Sequence, residues 1–372
     1  MSGSHVAAIF LLGVSMPTIA TAPPTRDEVR AAMAIPSTDT VRGQLDGVGY
    51  PRTAEAMAKA WAAAAEGPEP EGFGEKVAPG VAGLIGPHDD YVYAGRVYRR
   101  AFPLVTAKTV VVVGVFHGYR RFQAHDQLVF DPYLAWRAPD GEIAVSELRD
   151  ELFAAMPEGM AVKDAAAHDS EHSIEGIAYF LKHARRDVEI VPIIVPAASF
   201  ERLDTLSSRL AEALAASMRK RGWILGRDVA IVVSTDGVHY GADFRHEPFG
   251  AGGVEAFLKA MAFDRKLVGD ALAGPMSPAK SRLFYSTVVD PERPDTYRVP
   301  WCGRFSVPVG TMLIAKASEA LGMGVPRGVP VALGVSVDTP ELPLRDVGMG
   351  PTAPANLHHF VTHPAIAYPV AP

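Results

Sequence analysis

Residues 109–118 read Thr-Val-Val-Val-Val-Gly-Val-Phe-His-Gly, and this stretch decides the fold class. Five valines among seven residues, with no polar alternation, predict a strand covered on both faces. Shorter runs of the same kind lie at Val81–Ile85, Val188–Val195, Val229–Val233 and Val331–Val337, each bounded by Gly, Pro or charge. Before and between them fall helix-forming stretches: Ala54–Glu66, Ser146–Ala155, Ser173–His183, Ser199–Gly222, Gly253–Ala273 and Ser306–Leu321. Four of these open on Ser, a favoured N-cap residue. Asp140-Gly141 predicts a turn between two short extended segments. Pro275–Lys280 and Pro291–Pro300 read as loops inside the same unit. Strands alternating with helices give an α/β fold, a three-layer α/β/α sandwich around a largely buried mixed sheet.

The whole chain is consistent with that reading. Of 372 residues, 48% are hydrophobic and 21% charged, with 34 Gly and 31 Pro, which excludes collagen, coiled coil and wholesale disorder. The net charge of −6 leaves no chain-wide basic footprint for nucleic acid. A single cysteine excludes an intramolecular disulfide and every multi-cysteine metal motif. No apolar run in the body of the chain is long enough to span a membrane. Val6–Val14 has the length of a signal-peptide core, and small residues around Ala20 offer a cleavage position, although Met1–His5 carries no Lys or Arg. Residues 1–25 are therefore read as a signal peptide or tail, and 26–372 as the α/β domain. An exported, periplasmic protein is expected, with a cytoplasmic one as the alternative.

Four motifs stand out, most of them at or just after expected strand ends, where ligands collect in open α/β sheets. Gly86-Pro87-His88-Asp89-Asp90-Tyr91 follows the strand from Val81. Gly114-Val115-Phe116-His117-Gly118 ends the valine run. His168-Asp169-Ser170-Glu171-His172-Ser173-Ile174-Glu175 leads into a helix that Ser173 can cap. Ser234-Thr235-Asp236-Gly237-Val238-His239-Tyr240-Gly241 follows Val229–Val233, and Asp236 and His239 can form a carboxylate–imidazole pair. The lone thiol lies in Trp301-Cys302-Gly303-Arg304, before a helix whose N-terminus would lower its pKa, in what reads as a polar loop. Each motif also has a plain structural reading: a loop His bonded to a local carboxylate, a charged helix start, an Asx turn, a small buried thiol.

In their order, these motifs resemble the MEMO family (of the AmmeMemoRadiSam system protein B type), which is related in fold to the class III extradiol dioxygenases. The family pattern runs P-H-x-G-Y, G-x-x-H-H, E-H-S-x-E, S-S-D-x-x-H-x-G and C-G. Here it is met by Pro87 to Tyr91, Gly114 to His117, Glu171 to Glu175, Ser234 to Gly241, and Cys302-Gly303. Asp46-Gly47-Val48-Gly49-Tyr50-Pro51 resembles the family's opening A-G-x-F-Y-P, so the likeness covers about residues 42 to 340. Three positions depart: Asp90 replaces the usual Gly, Gly118 replaces the second His, and Gly-Ile-Ala-Tyr follows Glu175. The resemblance implies that His88, His117 and Cys302 bind a single metal ion. It sets Asp236 and His239 beside that ion, has Glu171, His172 and Glu175 line or support the site, and makes His239 the acid/base.

Two imidazoles and a thiolate leave an open coordination position, as a catalytic metal requires. Fe(II) is the first expectation from the resemblance, with Cu or Zn as alternatives; imidazole suits all three, while thiolate pulls towards Zn and Cu(I). Three functions follow. A non-haem iron oxidoreductase would take a small-molecule substrate and O2, with His239 moving a proton. A copper- or iron-binding or redox-linked protein would have no turnover of its own. A zinc hydrolase would use His239 or Glu175 as base. The chain has no G-x-S-x-G elbow and no phosphate-binding G-x-x-x-x-G-K-[ST] loop.

Overall fold

The computed structural model describes residues 22–71 and 76–370. The signal-like stretch Val6–Val14 and its expected cleavage site lie outside the described residues. The first helix among the described residues is Arg26–Ala32, which Thr25 and Glu28 close with a capping box.

Six strands form the centre of a large mixed sheet. In chain order they are β1 (Gly83–Gly86), β2 (Thr109–Val115), β3 (Glu189–Val195), β4 (Val229–Ser234), β5 (Arg327–Val335) and β6 (Phe360–Tyr368). Their order across the sheet is β3-β2-β4-β1-β6-β5. The first four run parallel, while β6 and β5 are antiparallel additions. Every residue of β1, β2 and β4 is buried, as an uninterrupted apolar run requires when both faces are covered. Beyond β3 the sheet continues through Ile143–Val145 and Ala135–Trp136, an antiparallel pair joined through Asp140-Gly141, with Gly141 at φ +100°.

Helices cover both faces. On one side lie α1 (Tyr91–Ala101) and α2 (Glu175–Ala184); on the other, α3 (Phe200–Arg221) packs on α4 (Ser306–Ala320). Two strand glycines mark the two sides, since residues three apart on β1 face opposite ways. A Cβ on Gly83 would run into Ile314 of α4, and one on Gly86 into Phe102, next to the end of α1. The fold is thus a three-layer α/β/α sandwich.

The local expectations fare unevenly. Ser199 does cap its helix, accepting from the Arg202 amide, and Gly222 ends it at φ +65°. The other three serines do not act as N-caps. Ser173 donates to the Val115 carbonyl and Ser306 to the Ser234 carbonyl, while Ser146 sits one residue ahead of the cap position of Leu148–Ala155. Pro275–Lys280 is not all loop: Ser277 caps the helix Pro278–Val288, with Pro278 in its first turn, where a missing N–H costs nothing. Within Pro291–Pro300, Arg293–Tyr297 pairs with Val289–Asp290 as a small hairpin. The expected helix over Gly253–Ala273 runs Val254–Leu267 and then widens into a π-turn, Val268–Leu272. No described helix is long and apolar enough to cross a membrane.

Candidate metal centre

Because β1, β2 and β4 are parallel neighbours, their carboxyl ends emerge at one edge of the sheet. His88 follows β1, His117 follows β2, and Asp236 and His239 follow β4. The loop before α4 carries Cys302 to the same edge, and the loop before α2 carries Glu171 and His172 there. Nitrogen donors of His88 and His117 and the Cys302 sulfur all lie within 4.8 Å of one another. So do donors of Asp236, His239 and Cys302, and of His117, Glu171 and His172.

Each imidazole has its distal nitrogen fixed from behind. His88 Nδ1 is 2.7 Å from Ser234 Oγ, and that hydroxyl donates to the Ser173 carbonyl at 2.6 Å. The hydroxyl proton being committed, Ser234 accepts from His88 Nδ1–H, which leaves the Nε2 lone pair facing the cluster. Burial and the surrounding histidines hold the His88 pKa well below its usual value, so the ring is neutral. Tyr50 donates to the His88 carbonyl and tethers this turn.

His117 stands on Glu171 in the same manner. Its Nδ1 lies 3.0 Å from Glu171 Oε1 and its amide donates to Oε2 at 2.6 Å. Burial opposes a charge on this ring, but Glu171 outweighs it and raises the His117 pKa. Burial likewise works against the Glu171 carboxylate, yet His117, His172 and the Ser173 amide hold its pKa down at about 2. His172 stacks on His117, centroids 5.0 Å apart and rings 13° from parallel.

Asp236 and His239 do not form the expected pair. Asp236 Oδ1 accepts from the His88 and Asp89 amides, and Oδ2 lies 3.2 Å from His88 Nε2. Burial, then the charge of Asp89, raises its pKa to about 7. His239 instead turns Nδ1 to the carbonyls of Gly237 and Pro300, each at 3.0 Å. Burial depresses its pKa, so it too is neutral, with Nε2 free to accept a proton.

The setting of Cys302 corrects the polar-loop expectation. Cys302 is 6% exposed and Arg304 2%, and Trp301, fully buried, donates to Asp264 at 3.0 Å. Burial first, then the charge of Asp236, pushes the thiol pKa well up rather than down. The sulfur lies 3.5 Å from His88 Nε2 and 3.8 Å from Asp236 Oδ2, and accepts from the Asp236 amide at 3.1 Å. Gly303 lets this loop close on β4, since a Cβ there would collide with Thr235.

These separations fit a metal. Nitrogen or oxygen at about 2.1 Å and sulfur at about 2.3 Å from one tetrahedral ion are themselves about 3.6 Å apart. The chemistry fits as well: the His88 lone pair, the Asp236 carboxyl and the Cys302 sulfur converge, and a cation would bind there by displacing the protons that burial favours on the last two.

Glu175 is not brought to the cluster. It is fully buried against Arg42 at 2.6 Å and accepts from the amides of Leu45 and Asp46. Two nearby residues are not singled out as site residues by the motifs. His363, fully buried on β6, meets Asp89 Oδ2 through Nε2 at 2.6 Å. Its trace in the sequence is the polar pair Thr362-His363 opening an otherwise apolar run. Arg304 lines a cavity of about 80 Å³ that reaches His117 and Cys302.

Comparison with known proteins gives one consistent answer. A family profile described as Memo-like protein matches residues 42–316. A MEMO1 family protein of Thermococcus onnurineus is 31% identical over 191 residues, 50% of this chain and 62% of the relative. One of Thermococcus kodakarensis is 31% identical over 207 residues, 53% and 65% of the two chains. One of Archaeoglobus fulgidus is 31% identical over 161 residues, 43% and 56%. The matches thus span somewhat under two thirds of these relatives' length.

Proposed function

We propose, since the chain belongs to the Memo-like protein family, that it is a mononuclear metal enzyme of oxidoreductase type acting on a small organic molecule with O2. His88, His117 and Cys302 would hold the ion, with Asp236 as a further donor. The carrying observation is the set of donors converging within 4.8 Å, two of whose imidazoles are fixed from behind by Ser234 and Glu171. Asp236 adds a hard oxygen beside the soft sulfur, which favours Fe(II) over Cu(I). Bound there, such an ion would supply Lewis acidity and an open position for O2 or substrate.

The chain's own residues supply proton handling. His239, neutral and with Nδ1–H held by two carbonyls, offers Nε2 to take a proton from a substrate hydroxyl and return it later. His172, stacked on His117, covers one face of that ring.

The test is O2 consumption by anaerobically purified protein loaded separately with Fe(II), Cu(I) or Zn(II), with a catechol as probe. The iron form should consume O2 in a catechol-dependent way, and His239→Asn should slow it by about 10²- to 10⁴-fold with metal content unchanged. Turnover with zinc alone and without O2 would favour the hydrolase. Copper bound tightly with no turnover in any form would favour the binding protein, which the Cys302 sulfur supports.

A further inference from the structure

One wall of the cavity beside the cluster carries a buried charge that no carboxylate bonds directly among the described residues. Arg304 is 2% exposed, yet its Nη1 is buried and has no hydrogen-bond partner among the described residues. Its Nη2 donates to Tyr119 Oη at 2.9 Å, and that hydroxyl in turn donates to Asp295 at 2.8 Å. The guanidinium carbon lies 3.6 Å from the Tyr297 ring centroid and 4.8 Å from that of Phe305. The rings offer the guanidinium their π faces, but Nη1 keeps a hydrogen-bonding proton pair that nothing among the described residues accepts. Nearby carboxylates are occupied elsewhere: Glu171 by His117 and the Ser173 amide, Asp236 by the His88 and Asp89 amides, Asp295 by Tyr119.

A buried guanidinium without a counter-charge is costly unless something else supplies the anion. The cavity it lines runs to His117 and Cys302, and Ser306, the first residue of α4, brings the positive end of a 15-residue helix to the same wall. At about 80 Å³, and lined largely by aromatic and aliphatic side chains, it takes one small molecule or one end of a larger one.

We propose that Arg304 anchors a carboxylate, so that the molecule handled at the neighbouring cluster is a small organic acid whose carboxylate pairs with Nη1 and whose other end reaches His117 and Cys302. This rests on the metal-enzyme reading for the role of that molecule as substrate; the anion site itself is testable apart from it. Arg304 is a binding residue here, not a metal ligand.

The experiment is calorimetric titration of the full chain with benzoate and with its uncharged counterpart benzamide, with metal content measured on the same samples. Benzoate should bind at least about tenfold tighter than benzamide, the effect of one charge-assisted contact. Arg304→Gln should abolish that preference without changing metal content, and Arg304→Lys should keep part of it. The wild-type comparison stands even if both variants misfold. No saturable benzoate binding at millimolar concentration, equal binding of the two probes, or an undiminished preference in Arg304→Gln overturns the proposal. Wild type that discriminates the probes but takes up no metal keeps the anion site and removes the metal-enzyme reading. Wild type that holds metal but does not discriminate does the reverse.

Discussion

At the scale of single residues, the site depends on groups standing one bond behind the donors. Ser234 sets the His88 tautomer, so Ser234→Ala should weaken metal affinity by about 10- to 100-fold while leaving the fold intact, as metal titration would read. Glu171 carries the pH dependence. Its pKa is about 2 against an ordinary 4.5, so the unfolded chain binds the proton more readily than the folded one. Stability from this group is therefore complete above pH 4.5 and lost as pH falls towards 2. The metal-free protein should lose about 3 kcal/mol across that window, seen in urea midpoints, and Glu171→Gln should flatten it. Glu175 behaves differently. Arg42 and Glu175 are both fully buried, so Glu175→Gln leaves a guanidinium uncompensated. It should cost about 3–5 kcal/mol in unfolding free energy while the folded fraction keeps its metal. Loss of metal without loss of stability would restore Glu175 to the cluster.

At the scale of elements, the sequence makes the valine-rich strands legible because burial on both faces leaves one pattern available. β2 begins and ends where its composition changes, at Thr109 and Val115. The helix α1 is hidden from such reading. Tyr91, Val92, Tyr93, Val97 and Tyr98 are poor helix formers in isolation, and burial of nearly the whole segment overrides that preference. β6 is hidden by Pro364, which argues against an interior strand although it lies across from Leu333. His88, His117 and Asp236 lie in motifs at strand ends and Cys302 in one before a helix, and it is the family resemblance that names His88, His117 and Cys302 as donors. Their partners could not be named: Ser234 behind His88, Asp89 with His363, and the unpartnered Nη1 of Arg304 exist only once loops distant in the chain are packed together. The element that aims Cys302 is the tight turn at Gly303. Gly303→Ala should push that loop off Thr235, cost about 1–3 kcal/mol and reduce metal occupancy, measured by melting and metal analysis together.

At the scale of the molecule, one parallel core gathers the donors and two antiparallel strands close the sheet. β6 pairs with β1 on one side and β5 on the other, so the last described strand is interior. Truncation before Phe360 would expose the edge of β1, the strand that delivers His88, and should give insoluble protein rather than a soluble, inactive one. The fold and the centre are in this sense one construction, and the convergence of His88, His117 and Cys302 is its central claim. The direct measurement is metal analysis of anaerobically purified wild type beside Cys302→Ala and His88→Ala. About one equivalent of metal in the wild type, lost in both variants while each keeps its circular dichroism spectrum, is the predicted result. The same metal content in all three proteins, or none in the wild type after reconstitution with Fe(II), Cu(I) and Zn(II), would contradict it.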